Sequence, residues 1–190
     1  MSDRTANSAL TNSVFLDRWS PRSFSDEPVT DEELDALFEA ARWTPSWMNN
    51  QPWIFAYDTD GPGREPILDS FMEFNRDWAS AAPVVGLVLA KTELEDFMAR
   101  TRDFDTGAAM MSMTLQATML GLSVHLLGGI ELDAAYEATG ADRDTTEILC
   151  GFIIGRRGEA SALPEKLQER EKPSDRKPVS EFVFKGGRIA

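Results

Sequence analysis

The chain carries one histidine, His125, and one cysteine, Cys150. That leaves the usual protein-borne catalytic sets short of members. A Ser-His-Asp site would have to use His125, which lies in Ser123-Val124-His125-Leu126-Leu127 with no nucleophile elbow beside it. Its expected part is structural, or that of a pocket wall. No His, Asp and Glu cluster has metal-ligand spacing, and one thiol makes neither an intrachain disulfide nor a thiolate cage. Neither a GxGxxG turn nor a GxxxxGK[ST] loop occurs. No catalytic side chain and no metal ligand is expected. A chain so bare either binds something or takes its chemistry from a cofactor.

Three segments carry binding chemistry. In Arg18-Trp19-Ser20-Pro21-Arg22-Ser23-Phe24, two arginines four apart with a serine between them can converge on one dianion. The planar guanidinium meets phosphate oxygens bidentately and keeps its charge. The same pattern also fits two solvated cations at a helix end. In Pro45-Ser46-Trp47-Met48-Asn49-Asn50-Gln51-Pro52-Trp53, two prolines hold a loop of amides and an indole. Amides offer the donors and acceptors that the edge of a heteroaromatic ring needs, and an indole can stack on such a ring. A helix-to-strand connector with its tryptophan packed inward fits equally well. Gly128-Gly129-Ile130 either lets backbone approach a flat ligand or makes a plain turn.

These segments need elements to position them. Thr30 and Glu33 form a capping box, with Val29 and Leu34 as its hydrophobic staple. Leu34, Leu37, Phe38 and Ala41 then line one helix face, and Pro45 closes the element. Trp53 to Tyr57 is a predicted strand, residues 64–76 a helix, and Pro83 to Ala90 a continuous apolar strand of the kind covered on both faces. Residues 92–101 are expected to form a short helix. Asp105 to Leu120 holds no charge after its first residue, so this helix must be buried on all sides or lie at a subunit interface. Gly121 is its natural C′ residue. Ser123–Leu127, Ile148–Ile154 and Phe182–Phe184 are predicted strands. From about residue 156 the chain turns charged and proline-rich, which calls for an extended path over a surface. Mixed strands and helices imply one sheet covered by helices on both faces.

Composition bounds the partners. The chain has 190 residues, one domain's worth, and an apolar fraction of 42%. Its 19 Lys and Arg against 32 Asp and Glu give a net charge of −13. That excludes a general nucleic-acid binder and an anionic-membrane binder. No apolar run approaches the ~20 residues of a bilayer span. Residues 1–10 lack the apolar core of a signal peptide, and with a single thiol a cytoplasmic location is expected.

In order along the chain, the segments resemble the nitroreductase family of flavoproteins. Arg18 to Phe24 is similar to that family's Arg-x-Ser-x-Arg/Lys-x-Phe. Ala40 to Trp53 is similar to its Ala-x-x-Ala-Pro-Ser-x-x-Asn-x-Gln-Pro-Trp. Asn75 to Trp78, Gly128-Gly129, Ile153-Ile154-Gly155 and Arg176-Lys177-Pro178 complete the match, which runs from Val14 to Phe184. The resemblance implies an α+β fold, an α-β-α sandwich with a central mixed sheet, spanning residues 1–190 as a single domain in an intertwined homodimer. It implies FMN as cofactor and NAD(P)H as electron donor, with hydride passing through flavin N5 to a small nitroaromatic, quinone or similar acceptor by a ping-pong course. Arg18, Trp19, Ser20 and Arg22 would then sit at the phosphate and ribityl end, with Arg176 assisting. Pro45, Ser46, Trp47 and Asn49 would contact the ring from the other subunit. Asn75 would bond the ring's polar edge, and the backbone at Gly128 and Gly129 would approach N5. Trp19 departs from the family's common Arg or His, Trp78 from a lysine of some members, and Trp47 and Met48 from small residues. Such bulk would narrow the acceptor site. A non-redox flavin-binding protein is the alternative on this fold, and a plain dimerisation module a third class.

Overall fold

The computed structural model describes residues 4–6, 8–93 and 99–188. Helix α1 is Val14–Asp17 and α2 is Asp31–Arg42. The capping box forms as the sequence requires: the Thr30 side chain accepts the Glu33 N–H at 3.2 Å, and Glu33 accepts the Thr30 N–H at 2.9 Å. Strand β1 is Trp53–Asp58, followed by α3, Arg64–Asp69, and α4, Glu73–Ala79. Strand β2 is Val84–Lys91 and the long helix α5 is Arg102–Met119. Then come β3 at Ser123–Leu127, α6 at Leu132–Thr139, β4 at Thr146–Gly155 and the short α7 at Glu165–Gln168.

The four strands form one sheet in the order β1-β2-β4-β3, and every neighbouring pair is antiparallel. A mixed sheet was expected, and within the described residues this is corrected. A continuous apolar strand reports burial on both faces, not strand direction, and an antiparallel sheet between two helical layers produces the same pattern. The residues of β2 alternate between those layers. Val85, Leu87 and Leu89 pack into one cluster with Ile67, Leu68, Phe71 and Ala135 from α3 and its neighbours. Val84 and Val88 pack into the other with Leu34 and Leu37 of α2 and Met110 and Met113 of α5. Gly86 leaves the space that the Phe152 ring fills; a Cβ there would stand 2.3 Å from Phe152 Cζ.

Other expectations are adjusted. The helix predicted over 64–76 is two helices, split where Phe71 bridges Ile130 and the Met72 N–H reaches Gly129 O at 3.1 Å. Backbone demand from that turn interrupts the helical ladder. Helix α5 buries only one face, Asp105, Thr106, Ala109, Met110, Met113, Thr114 and Ala117. Phe104, Met111 and Met119 on it stand exposed, so of the two settings open to such a helix, full burial does not occur in the single chain. Gly121 follows its C-cap with φ +76°, the left-handed geometry that favours glycine. The strand predicted at Phe182–Phe184 is absent: these residues follow a 3-10 turn at Val179–Glu181, exposed and without a ladder partner among the described residues. Half of the short helix expected over 92–101 falls on residues 94–98, which lie outside the described residues.

Candidate functional site

Six cationic side chains converge on one cavity of about 350 Å³: Arg4, Arg18, Arg22, Arg170, Lys172 and Arg176. Trp19, Ser20, His125 and Ser174 complete its wall. The arginine loop after α1 supplies one side, the edge strand β3 another, and the extended tail after α7 closes it. Arg18, Trp19, Ser20, Arg22 and Arg176, named from sequence, are therefore brought together. Neither Arg18 nor Arg22 has a carboxylate ion-pair partner among the described residues. Arg18 Nη1 reaches only Ser20 Oγ, at 3.4 Å. Burial, followed by the like charges of Arg176 and Arg4, lowers the Arg18 pKa. Burial and then Arg170 lower that of Arg22. An anion is what this wall lacks.

His125 shows how the loop is seated. Its Nδ1 lies 2.7 Å from the Pro21 carbonyl oxygen. A carbonyl only accepts, so Nδ1 carries the proton and Nε2 is left as a lone-pair acceptor. Burial, aided by the charges of Arg22 and Arg18, pushes the pKa down to about 4, against the raising effect of the Pro21 bond. The neutral ring packs on Trp78 with centroids 4.8 Å apart, and Arg22 lies 5.8 Å from the Trp78 ring centroid on its other contact. Trp78 is buried in the core, where it packs under the arginine loop. The Trp19 indole N–H is buried without a hydrogen-bond partner among the described residues.

A second part of the site is built by the broken helix. Asn75, buried on α4, donates through Nδ2 to Gly129 O at 3.2 Å. A Cβ on Gly129 would meet that nitrogen at 2.6 Å, whereas one on Gly128 would meet nothing within 4 Å. Gly129 is thus required by the close approach of Asn75, while Gly128 faces open space.

The Pro45–Asn49 segment lies elsewhere and lines no part of the cationic cavity. Helix α5 holds it. Buried Asp105 accepts the Trp47 N–H through Oδ2 at 3.0 Å, and Thr44 Oγ1 donates to Ser112 Oγ at 2.7 Å. Ser46 Oγ accepts the Gln51 N–H at 2.9 Å. Met48, Asn49 and Gln51 have φ of 47°, 58° and 49°. Such left-handed non-glycine residues are strained and collect at ligand clamps. Trp47 is half exposed and Met48 exposed, so the indole is presented to solvent and not packed inward.

Between α5 and the sheet a second, mostly apolar cavity of about 280 Å³ shares Arg18 and Ser20 with the first. Cys150 lines it, and burial pushes its thiol up to about 11.

Sequence reasoning missed Arg4, Arg170 and Lys172. Arg170 and Lys172 lie in the turns that follow α7, where no local pattern marks them. Arg4 meets the site only through tertiary folding, and nothing in its neighbourhood marks it.

The sequence and fold match known proteins. The chain belongs to the nitroreductase family: the family model described by that name matches residues 16–81 and 58–156. A solved oxidoreductase containing FMN is 35% identical, with a TM-score of 0.90 over 99% of this chain and 96% of that one. A Streptomyces coelicolor protein provisionally named NADH dehydrogenase/NAD(P)H nitroreductase is 37% identical over 75 residues, 40% of this chain and only 37% of its own length. The NAD(P)H FMN reductase of Bacillus subtilis is 26% identical over 80% of this chain and 68% of its own.

Proposed function

We propose that the chain is an FMN-dependent oxidoreductase that takes hydride from NAD(P)H and delivers it to a small acceptor of the nitroaromatic or quinone class. The cationic cavity carries this reading: among the described residues, neither Arg18 nor Arg22 in it has a carboxylate ion-pair partner. The residues present fit FMN. Arg18, Arg22 and Arg176 would hold its phosphate, Ser20 and the His125 Nε2 acceptor would meet the ribityl hydroxyls, and Asn75 would bond the ring edge. When bound, FMN supplies the two-electron redox chemistry, which no side chain here can supply. The chain's own work is to neutralise the dianion, orient the ring, and leave Gly128 without a Cβ where the ring approaches.

The reading includes a homodimer in which Pro45, Ser46, Trp47 and Asn49 of one protomer meet the ring held by the other. Support comes from the strained, presented loop, and from exposed Phe104, Met111, Met119, Phe182 and Val183. Residues 1–190 act as one domain, and the reduced lone thiol fits a cytoplasmic setting. No helix among the described residues is long and apolar enough to cross a membrane.

Anaerobic titration tests the proposal. The purified protein, loaded with FMN, should show an oxidised-flavin band that bleaches with NADH or NADPH and returns on adding a quinone or nitroaromatic acceptor, in ping-pong kinetics. A band that persists under excess nicotinamide supports the second reading, a non-redox flavin carrier. Exposed Trp47 and Met48 favour that reading as covers for the ring.

A further inference from the structure

The cavity poses an electrostatic problem. Three of its cations, Arg170, Lys172 and Arg176, sit on the strap that follows α7, and they line the same cavity as Arg18 and Arg22 of the arginine loop. Like charges this close repel: after burial, Arg176 is what most lowers the Arg18 pKa and Arg170 what most lowers that of Arg22. Something must hold strap to loop before any anion arrives.

Two side chains do so, and both act on backbone. The Glu171 carboxylate accepts the Arg22 N–H at 2.9 and 3.0 Å and the Ser23 N–H at 2.9 Å. It ties the strap to the loop while leaving the Arg22 guanidinium unpaired. From the opposite side, Arg4 Nη1 donates to Leu16 O and Arg18 O, each at 2.9 Å, and its Nε and Nη2 donate to Ser174 O at 3.0 and 2.7 Å. One fork therefore joins three carbonyls, one each from α1, the loop and the strap. A lysine, with a single point of donation, cannot span them. Neither clamp takes up a guanidinium bond of Arg18 or Arg22, although the Glu171 charge partly offsets burial and Arg170 at Arg22.

We propose that Arg4 and Glu171 are positioning residues that clamp the 170–176 strap onto the arginine loop and thereby set the affinity of the cavity for a phosphomonoester dianion. The proposal rests on the flavin reading only for the identity of the ligand, the phosphate end of FMN.

The test uses the full chain, stripped of flavin, with Arg4→Ala, Arg4→Lys and Glu171→Gln variants that keep a cooperative thermal transition. Flavin fluorescence quenching gives Kd for FMN and for riboflavin, which lacks the phosphate. Hydrogen exchange reports the amides of 170–176 without ligand. In the Arg4→Ala and Glu171→Gln variants, FMN binding should weaken about tenfold, ~1.4 kcal/mol. Riboflavin binding should hold, and strap exchange should rise. Arg4→Lys should behave like Arg4→Ala, since charge without the fork does not restore the bonds. An unchanged FMN-to-riboflavin affinity ratio, or equal loss for both ligands, overturns the proposal. Should the parent protein bind neither flavin, the flavin reading fails and inorganic phosphate decides the clamp. Phosphate that slows strap exchange in the parent but not in Arg4→Ala supports it, and an equal effect in both overturns it.

Discussion

His125 is the residue whose environment most constrains the molecule's response to acid. In the unfolded chain its pKa is near 6.5, and in the fold it is about 4. As pH falls, the unfolded state binds the proton first, so stability is intact above about 6.5 and is lost progressively down to about 4. The full effect is on the order of 3 kcal/mol at most. Thermal melts across that range should show a fall in Tm that His125→Gln abolishes. At neutral pH Cys150, with its thiol pushed up to about 11, should resist a disulfide-exchange reagent in the native state and react promptly once unfolded. Met48 sits at φ 47° without being glycine. Met48→Gly should raise stability by about 1 kcal/mol in chemical denaturation, since it removes the left-handed penalty at an exposed position. At this scale the arginines and amides were legible because they are adjacent in sequence. Arg4 and Asp105 were not, because their partners are far along the chain.

At the scale of elements, local signals were read correctly where the chemistry is local. The Thr30 and Glu33 box, the apolar face of α2 and the run of β2 all follow from neighbouring residues. Strand direction and helix breaks did not, because they are decided by partners. The gap between α3 and α4 exists to satisfy Gly129 O, and the Phe182–Phe184 pattern forms no strand without a ladder beside it. The sheet's central joint is equally a matter of partners. Phe152 is fully buried between β2 and α5 and meets Phe55 edge-on, with centroids 6.4 Å apart. Phe152→Ala should cost about 3–5 kcal/mol in urea unfolding, through the cavity it leaves. Gly86→Ala should also destabilise, because its new methyl meets the same ring.

Across the whole molecule, the contrast is between an anionic body of net charge −13 and a strongly cationic recess. Repulsion from distant carboxylates is screened beyond about 8 Å in physiological salt, so the recess governs binding once a dianion is close. The apolar side chains left on α5 and the tail belong to this scale too. Light scattering should give twice the chain mass, and Tm should rise with protein concentration, as it does when folding and association are linked. Phe104→Asp, on the exposed face of α5, should shift the protein toward monomer.

The bond from Asn75 to Gly129 O has a chemical corollary. Because that oxygen can only accept, one Asn75 N–H is spent on it, and the Asn75 carbonyl oxygen and its second N–H are left for another partner. On the proposed flavin reading, the Asn75 oxygen is a lone-pair acceptor for the ring, and the matching feature on an isoalloxazine is the imide hydrogen at N3. A cofactor analogue methylated at that nitrogen should therefore be refused, while one altered at the dimethylbenzene end should still be taken up.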